Sequence, residues 1–435
     1  MDDELSPEHE RILGALAARG TASSQELQEL LGKSQASVSR LLSDLRHHVV
    51  SLGRARAARY GLSKSIHGSS SQQAIFWTHE DGQQERLGTL TLLEQGRIHI
   101  DAGPIDLLVR GTLPWFLTPL RAQGFLGRLL ARRLAAQGVA TDPDAWPLET
   151  QLFAALSLHD GAGAITLGEA FESQPTLELP SAASGSTAML DTIAADVAST
   201  LPAGSSAAGE QPKFLARRAD GTHLLIKFSP PHGTPFGDRW HDLLHAESLA
   251  SATLQAHGVE VARSSVIETK RHTFLCSERF DRVGARGRRH VVAIGAAHAG
   301  LAPGPYVNWA ASAEALAGAR RLTREDAARA RALRQFGHLI GNTDMHAGNL
   351  GLLVPPGHLA KGLLRLAPVY DMLPMRWRPD AVLGGAPEYQ AFEPEAWAVG
   401  SGASGPARDF WDALSRRSSV SPAMRKLAAR MVDQV

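Results

Sequence analysis

Two polar residues at a fixed spacing, Asp344 and Asn349, constrain this chain more than any other feature of its sequence. They lie in FGHLIGNTDMHAGNLGLL, residues 336–353, with four residues between them. A carboxylate in a tight loop can accept a proton from an attacking hydroxyl, and a nearby amide oxygen can hold Mg²⁺. One loop can therefore present both groups to the same phosphate, and His346, inside the loop, could brace it by hydrogen bonding.

Three further residues fall at positions that suit the same chemistry. Lys227 lies in the alternating apolar strand HLLIKF, where a buried ammonium needs an anion, and in kinases the phosphates of ATP are that anion. Glu247, in the following helix LLHAESLA, is its natural ion-pair partner. Asp371 follows a predicted buried strand, LLRLAPVY, in the position of a magnesium-binding aspartate, although Met372 and Leu373 replace the usual Phe-Gly.

Each of these residues alone has an ordinary structural explanation. A D-x-x-x-x-N segment has the composition of a turn, an isolated strand lysine usually extends to solvent, and a helix glutamate usually faces water. The order along the chain carries the prediction: a small-residue loop, a strand lysine, a helix glutamate, D-x-x-x-x-N and then an aspartate. The loop is SSAAGEQPKFLAR, residues 205–217, which could bring backbone N–H groups and Lys213 close to phosphates.

The composition fits a folded cytoplasmic protein of several domains. With 435 residues, 43% of them hydrophobic, two or three domains are expected. The formal net charge of +1 does not indicate nucleic-acid binding, so such contacts would need a local basic patch. The single cysteine, Cys276, excludes an intramolecular disulfide and is expected in a buried strand. A signal-peptide pattern and an apolar run of membrane-spanning length are both absent from the sequence, so no membrane contact is expected.

The first 64 residues are predicted to form a winged helix-turn-helix that binds DNA. Apolar spacing and capping residues indicate three helices: Pro7 to Arg19, a second that begins at Ser23 or Ser24, and a third that begins after Ser34. Two strand-like runs, HHVVSLGR and ARYGLS, follow and are joined by the basic segment GRARA. The residues predicted to contact DNA lie off the apolar face of the third helix or on the wing: Gln35, Ala36, Ser37, Ser39, Arg40, Arg54, Arg56 and Arg59.

Small domains of this kind also serve as protein-docking modules, which leaves that alternative open, and DNA-binding ones commonly act as homodimers. Residues 65–73, SIHGSSSQQ, are polar and are interpreted as a linker. Residues 74–203 form a mixed segment with strands at AIFWT and LGTLTLLEQGRIHI and a helix at FLGRLLARRLAAQG, and residues 204–435 alternate strands with helices. The predicted fold class is therefore α+β.

Several motifs together resemble the HipA family of bacterial serine/threonine kinases, the toxins of HipA–HipB toxin–antitoxin pairs. They are SSAAGEQPKF, LIKFSP, SERFDR, IGNTDMHAGN and APVYDML. The fused N-terminal unit is similar to the YjjJ (HipH) subgroup. The resemblance implies a two-lobed kinase-like fold, with 74–203 contributing to the smaller lobe and 204–435 containing the kinase core and an all-helical C-terminal lobe. It also implies ATP and Mg²⁺ as cofactors.

By motif alignment the resemblance assigns roles to individual residues. The matches are Asp344 for the catalytic aspartate, Asn349 and Asp371 for the magnesium ligands, and Lys227, Lys213, Gly209 and Gln211 for nucleotide binding, to which Glu247 and His346 are added. Ser206, or the adjacent Ser205, matches the family's autophosphorylated serine, where a dianion would clash with the phosphates of ATP. Family targets are aminoacyl-tRNA synthetases, and a separate antitoxin is the usual partner.

Two other functions remain open from the sequence. A small-molecule kinase resembling aminoglycoside phosphotransferases shares the D-x-x-x-x-N loop and would phosphorylate a metabolite instead of a protein. A transcription regulator could use the kinase-like part only to sense nucleotide. Arg279 and Arg282, on either side of Asp281 in SERFDR, are expected to brace the fold rather than to bind substrate.

Overall fold

The computed structural model describes residues 5–53, 58–158, 160–168, 177–179, 183–199, 211–380 and 385–435. The first unit contains α1 (Pro7–Arg19), β1 (Thr21–Ser23), α2 (Ser24–Leu31), α3 (Gln35–Asp44), β2 (Val49–Leu52) and β3 (Arg59–Leu62). Its strands form an antiparallel sheet in the order β1-β3-β2. Ser23 and Ser34 accept hydrogen bonds from the first turns of α2 and α3, so the predicted helix starts are confirmed.

A five-stranded antiparallel sheet in the order β7-β6-β5-β4-β8 follows. Its region contains β4 (Gln72–Thr78), β5 (Gln84–Leu93), β6 (Arg97–Ala102), β7 (Ile105–Arg110), α4 (Gly124–Ala135), α5 (Leu148–Leu156) and β8 (Ile165–Leu167). We call it the middle sheet. The strands and the helix predicted in this region from apolar spacing are present.

Residues 65–73, predicted to be a linker, contact the middle sheet through one apolar side chain, and most of the other residues are exposed. Ile66 is fully buried, His67 Nε2 lies 3.2 Å from Thr150 Oγ1, and β4 already begins at Gln72. The segment is polar except for Ile66, and this side chain packs in the core of the middle sheet. The linker assignment stays a prediction, with Ile66 and the start of β4 as contacts that the composition did not indicate.

The first unit is held directly against the middle sheet. Gln95 Nε2 donates to Ala17 O at 2.6 Å and to Ala18 O at 2.7 Å, two carbonyl groups at the C-terminal end of α1. Ser63 and Leu93 form an antiparallel bridge beside this contact. The last carbonyl groups of a helix have no partner within the helix, so Gln95 completes the end of α1 while it attaches the unit.

A second five-stranded sheet, in the order β12-β13-β11-β10-β9, forms a smaller lobe. Its elements are β9 (Glu178–Leu179), α6 (Ala183–Ser199), β10 (Lys213–Arg218), β11 (His223–Phe228), α7 (Pro235–Ala256), β12 (Ser264–Glu268) and β13 (Thr273–Glu278). Phe214, Phe228 and Phe274 form its core with Leu190 of α6. Cys276 is buried in β13 as predicted, and burial raises the pKa of its thiol to about 11.

The C-terminal part is mainly helical. It contains β14 (Arg282–Val283), β15 (Gly287–Arg288), β16 (His290–Ala293), α8 (Ile294–Leu301), α9 (Trp309–Gly318), α10 (Arg324–Leu339), β17 (Gly351–Val354), β18 (Arg365–Leu366), α11 (Ser404–Ser415) and α12 (Pro422–Met431). Five aromatic side chains are fully buried at its centre: Trp309, Phe336, Trp377, Phe410 and Trp411. None of the helices in the described ranges is long and apolar enough to cross a bilayer.

The C-terminal lobe is not all-helical, in contrast to the prediction. β16, β17 and β18 form a three-stranded antiparallel sheet. The apolar run that follows Asn349 supplies β17, which is buried at all four positions, and such a run is typical of a strand covered on both faces. The lobe is therefore a helical body with a small internal sheet.

The core of the middle sheet is continuous with the core of the C-terminal lobe, which we also call the larger lobe. Ile75 and Leu90 of the middle sheet belong to one buried cluster with Leu333 and Phe336 of α10. The smaller lobe has a separate core. Within the described part of 74–203, which was assigned to the smaller lobe on resemblance alone, β9 and α6 belong to the sheet and core of that lobe, and the assignment of the rest stays a prediction.

Candidate active site

Lys227 lies at the centre of a buried group of charges. Its Nζ atom is 2.6 Å from Glu247 Oε1 and 2.5 Å from Asp371 Oδ1. β10 and β11 pair with Lys213 directly opposite Lys227, so both lysine side chains project from the same face of the sheet. Burial alone would lower the pKa of Lys227, but the Asp371 and Glu247 carboxylates raise it above its usual value. The ammonium is therefore charged.

Helix α7 brings Glu247 to this face of the sheet. The helix begins at Pro235, with Thr234 as its N-cap, and runs for 22 residues. Glu247 is 3% exposed, and Ala246 and Ala250 beside it are fully buried. A carboxylate buried to this degree requires a cation, which Lys227 supplies. The ion pair predicted between the strand and the following helix is present.

Asp371 reaches the same group of charges from a backbone conformation that few non-glycine residues adopt. Its φ is +57°, in the left-handed region where aspartate is tolerated better than most residues. Met372 and Leu373, which follow it, are buried and anchor the turn. Although burial opposes ionisation, the ammonium groups of Lys227 and Lys213 hold the pKa of Asp371 below its usual value.

The strand expected before Asp371 is shorter than predicted. β18 ends at Leu366, and Val369 makes only an isolated parallel bridge to Val261. Pro368 interrupts the apolar run because proline has no N–H group to donate to a strand ladder. Val369 is still buried, so Asp371 is placed by packing rather than by a long strand.

The loop that contains Asp344 and Asn349 is held by hydrogen bonds between side chains and backbone. Asn349 Nδ2 donates to Asp344 O at 2.9 Å, which leaves Oδ1 of this amide as the atom that could bind a cation. The Asp344 N–H group donates to Asn342 Oδ1 at 2.9 Å. His346 Nδ1 accepts from the Gly348 N–H group at 2.9 Å, so His346 braces the loop as predicted.

Asn342 is a residue of this site that the sequence analysis missed. It is 4% exposed, its Oδ1 holds the backbone of Asp344, and its Nδ2 lies 3.5 Å from Met372 Sδ. It therefore links the D-x-x-x-x-N loop to the residue after Asp371. The available signal was its position two residues before Asp344, from which an asparagine side chain can accept from the backbone.

A second contact joins this loop to the Asp371 segment. Tyr370 Oη donates to Gly348 O at 3.1 Å, so the residues that follow each of them, Asn349 and Asp371, are brought to one place. The Asp344 carboxylate is half-buried and forms no ion pair with any residue of the described ranges. A carboxylate without an ion-pair partner in the described ranges is a group that can accept a proton from a hydroxyl.

The small-residue loop upstream is described only from Gln211 onward. Gly209, Ser205 and Ser206 lie outside the described residues. Gln211 is buried, and its Nε2 atom has no hydrogen-bond partner in the part of the chain that the structure describes. A buried amide donor two residues before Lys213 suits an anionic oxygen.

The SERFDR motif forms a buried ion network beside the site. Arg279 and Arg282 both donate to Asp160 Oδ1 at 2.8 Å and to Asp281 Oδ2 at 3.0 and 2.7 Å, respectively. Despite burial, the two arginines hold the pKa of Asp281 far below its usual range. The network ties the segment before β8 to the end of β13, so the arginines brace the fold as expected. Asp160, 119 residues from Arg279, gave no signal in the sequence.

The relatives of this chain include a curated toxin. The toxin YjjJ of Escherichia coli strain K12 is 34% identical over 440 residues, which cover 97% of this chain and 96% of that protein. The chain belongs to the YjjJ toxin family. The HipA-like C-terminal domain matches residues 205–435, and the middle domain of YjjJ-like toxins matches residues 69–174. The family predicted from the motifs, a toxin of the HipA type, is therefore confirmed.

Two solved structures align with this YjjJ-family chain. A chain from the Shewanella oneidensis MR-1 complex of HipA, HipB and operator DNA aligns with 82% of this chain and 87% of its own length, at 17% identity and a TM-score of 0.46. The proinflammatory kinase CtkA of Helicobacter pylori aligns with 51% of this chain and 86% of its own length, at 12% identity and a TM-score of 0.34.

The first unit of this YjjJ-family chain presents a polar helix face. Gln35, Ser39 and Arg40 of α3 are exposed, as is Ala36. Ser37 is half-buried, and its Oγ atom lies 3.1 Å from Ser34 Oγ at the N-cap. The predicted surface is therefore present on α3, with Ser37 partly engaged in capping.

Arg59, predicted to contact DNA from the wing, is partly exposed and also bonds to the body of the first unit. Its guanidinium donates to Thr21 Oγ1 at 3.1 Å and to Glu26 Oε2 at 3.2 Å. Arg59 therefore holds β3 against β1 and α2, because a nearby carboxylate attracts it back to the body of the unit. The other two wing arginines, Arg54 and Arg56, lie outside the described residues.

Proposed function

We propose that this chain is a protein kinase of the HipA type, which transfers the γ-phosphoryl group of ATP to a serine or threonine hydroxyl of a protein. The observation that supports this most directly is the position of Lys227 Nζ, 2.6 Å from Glu247 Oε1 and 2.5 Å from Asp371 Oδ1. In protein kinases a strand lysine paired with a helix glutamate binds the α/β-phosphates, and a later aspartate holds Mg²⁺. The same order occurs here along the chain.

The donor set around Asp371 suits a magnesium ion. Mg²⁺ takes oxygen ligands, and the Asp371 carboxylate and Asn349 Oδ1 are the two oxygens that would hold it. The bond from Asn349 Nδ2 to Asp344 O orients the amide for this role. When bound, Mg²⁺ would neutralise part of the negative charge of the ATP phosphates. Gln211 Nε2, buried without a partner in the described ranges, is a donor that a phosphate oxygen would satisfy.

Asp344 takes the proton in the proposed reaction. The hydroxyl oxygen of the substrate attacks the γ-phosphorus, and a new O–P bond forms. The bond between the γ-phosphorus and the β–γ bridging oxygen breaks, and ADP leaves with that electron pair. The hydroxyl proton moves to the Asp344 carboxylate. Lys213 and Lys227, on one face of the sheet, stabilise the negative charge of the phosphates.

The test compares the full chain with the variant Asp344→Asn, using labelled ATP, Mg²⁺ and a lysate of the host. Asp344→Asn should bind nucleotide as the parent does, since Lys227 and Asp371 are retained, but should transfer phosphate at least about 100-fold more slowly. Asp433→Asn, at an exposed carboxylate near the end of the chain, is the matched control. Equal transfer by Asp344→Asn and the parent would refute the catalytic assignment.

The same incubation separates the proposal from its alternatives. Label on a protein band supports a protein kinase, whereas label on a metabolite alone would identify a small-molecule phosphotransferase. A growth arrest that Asp344→Asn leaves intact would favour a regulator that only senses nucleotide. A synthetase that charges tRNA is the proposed substrate, and phosphopeptide mass spectrometry after a pulse of expression would identify it.

Autophosphorylation of Ser206, or of the adjacent Ser205, is proposed as the way the kinase is switched off. A phosphate on this segment would add a dianion to the loop that precedes Lys213 in the sequence, and it would compete with the ATP phosphates for the lysines that bind them. Mass spectrometry of the parent after incubation with ATP should find the modified serine, and Ser205→Ala/Ser206→Ala should stay active for longer. An unmodified segment in an inactivated protein would exclude this mechanism.

DNA binding through the first unit, interpreted as a winged helix-turn-helix, is a second proposed function. The exposed Gln35, Ser39 and Arg40 on α3 support it, since small polar side chains and an arginine suit a major groove. With a fragment of the gene's own promoter as probe, Arg40→Ala should lower affinity at least about fivefold. Gln25→Ala, at an exposed position of α2, should leave the affinity for DNA unchanged. Equal affinity of the parent, Arg40→Ala and Gln25→Ala would contradict the assignment.

An antitoxin chain and a second copy of this chain are the proposed partners. A homodimer would present two copies of α3 to a two-fold DNA site. Light scattering of the purified chain, alone and with its promoter fragment, would measure the stoichiometry directly, and a monomer on DNA would exclude the dimer.

A further inference from the structure

Two histidines of α7 and a glutamate of β12 converge on one side of the helix. Glu247, which pairs with Lys227, lies on the opposite side of α7. His241 and His245 are four positions apart on α7, and their ring centroids lie 4.7 Å apart. One ligand atom from each of His241, His245 and Glu268 lies within 4.8 Å of the others. Two histidines at this spacing on one helix face, with a carboxylate as the third group, form a ligand set typical of zinc.

Ser419 orients both imidazole rings toward this point. His241 Nε2 lies 2.6 Å from Ser419 O, and a carbonyl can only accept, so Nε2 carries the proton and Nδ1 has the lone pair. His245 Nδ1 lies 3.3 Å from Ser419 Oγ and can donate to it. This hydroxyl oxygen has two lone pairs, so it can also accept from Arg417 Nε. Metal-binding histidines usually donate their second N–H group to such a partner.

His241 Nδ1 can leave its hydrogen bond with Thr273 Oγ1 and bind an ion without leaving that hydroxyl unsatisfied. Thr273 Oγ1 lies 2.6 Å from His241 Nδ1 and 2.9 Å from His232 Nε2. A hydroxyl has only one proton to donate, so Thr273 can satisfy His232 when His241 Nδ1 binds an ion.

The remaining nitrogen, His245 Nε2, is buried and has no hydrogen-bond partner in the described ranges. It lies 3.0 Å from Glu268 Oε1, and the His245 side chain is 3% exposed. Two ligands of a tetrahedral Zn²⁺, each about 2 Å from the ion, lie roughly 3.3 Å apart.

We propose that His241, His245 and Glu268 form a binding site for a divalent transition metal ion, with Zn²⁺ as the best match, and that this ion fastens α7 to β12. Glu268 is 48% exposed on its side chain, which gives the ion a route from solvent. In zinc hydrolases with two histidines at this spacing, the acidic residue after the first histidine acts as the general base. Asp242 has that position here but does not face the site, so the proposed ion has a structural role. Asp242, beside His241, is turned away: its carboxylate accepts from Tyr389 Oη at 2.8 Å and Ser421 Oγ at 2.6 Å.

The site would regulate the catalytic ion pair, because Glu247 lies two residues after His245 on α7. In protein kinases the position of this helix decides whether the lysine–glutamate pair forms. This link rests on the proposed function, whereas zinc binding itself does not. The two are measured separately: metal content reports on the site, and phosphate transfer reports on the link.

The experiment is equilibrium dialysis of the full, chelator-stripped chain against Zn²⁺, with the bound metal measured by mass spectrometry and Tm measured alongside. The parent should bind one Zn²⁺ per chain and its Tm should rise. Glu268→Gln, at a partly exposed position, and His245→Gln should each lower the affinity at least about tenfold and lose the rise in Tm. His47→Gln, at an exposed histidine, is the matched control and should bind as the parent does.

A parent that takes up no stoichiometric zinc from excess Zn²⁺ would overturn the site. Equal binding by the parent and Glu268→Gln would do the same, even if His245→Gln fails to fold. If zinc binds as expected but its removal leaves phosphate transfer unchanged, the site stands and its link to Glu247 is wrong.

Discussion

Lys213 and Lys227 lie directly opposite each other on the paired strands β10 and β11. Opposed residues of antiparallel strands have Cβ atoms roughly 5 Å apart, so two ammonium groups there repel each other. Glu247 and Asp371 bind Lys227 and offset part of this repulsion. Two lysines side by side match a chain of phosphates better than they match a single carboxylate, which is why this face of the sheet is the proposed ATP site.

Lys227→Met should destabilise the protein strongly, because it removes the cation between the buried Glu247 carboxylate and the partly exposed Asp371 carboxylate. Loss of one partner of a buried ion pair costs about 3–5 kcal/mol, and the free energy of unfolding in urea should fall by that order. Lys213→Met, at a partly exposed position, is the matched control. It should cost less stability while still weakening ATP binding. Equal losses of stability would show that Lys227 is not the centre of the charge group.

Gly337→Ala should reduce catalysis more than stability. A Cβ at Gly337 of α10 would stand 2.4 Å from Met345 Sδ and 3.2 Å from Met372 Sδ. These methionines directly follow Asp344 and Asp371, so their displacement should slow phosphate transfer, by up to about 100-fold. The free energy of unfolding should change little, since thioether ends move readily.

The control for this variant is Gly318→Ala on α9, where a Cβ would meet nothing within 4 Å. Its rate of phosphate transfer should equal that of the parent. If Gly337→Ala also transfers phosphate at the parent's rate, the packing around the two methionines does not position the catalytic carboxylates.

Asp281→Asn should destabilise the protein, because it removes the buried carboxylate that Arg279 and Arg282 share and leaves them the partly exposed Asp160 carboxylate. The expected fall in the free energy of unfolding is about 3–5 kcal/mol in urea denaturation. Glu178→Gln, which breaks a pair with Arg217 at the surface, should cost less than about 1 kcal/mol. A cost for Asp281→Asn no larger than that of the surface control would argue against a bracing role.

His290 should make the protein less stable as the pH falls. Its Nδ1 atom accepts from the Ala164 N–H group at 3.2 Å and its Nε2 atom donates to Phe116 O at 2.9 Å, so the neutral ring fits its site. Burial lowers the pKa of His290 to about 4. The unfolded chain binds a proton below about pH 6.5 and the folded protein does not, so the contribution is complete above pH 6.5 and is lost toward pH 4.

The expected loss over this pH range is about 3 kcal/mol of the free energy of unfolding. Urea denaturation of the parent and His290→Gln at several pH values would isolate the effect, since other titrating groups are common to both proteins. A difference between the two that stays constant from pH 7 to pH 4 would show that His290 is not the group responsible.

Features that depend on neighbours in the sequence were predictable. Ser23 and Ser34 cap α2 and α3 because a cap needs only the next three residues. The pair of Lys227 and Glu247 was predictable for a different reason, since each of these groups is costly to bury alone. The spacing of Asp344 and Asn349 was likewise enough to predict that both residues lie in the same loop.

Features that depend on distant segments were not predictable. Asp160 meets Arg279 across 119 residues, and no local pattern links them. Arg59 forms an ion pair with Glu26, and the basic composition of the predicted wing did not indicate this pair. Ile66 shows the same limit, since one apolar side chain in a polar segment decides whether the segment packs.

The bonds from Gln95 to the end of α1 attach the first unit to the middle sheet, which shares its core with the larger lobe. The exposed face of α3 therefore belongs to a unit that is attached to the body of the protein at this turn of the middle sheet. Any ligand bound to that face would be held beside the sheet and not on a free tether.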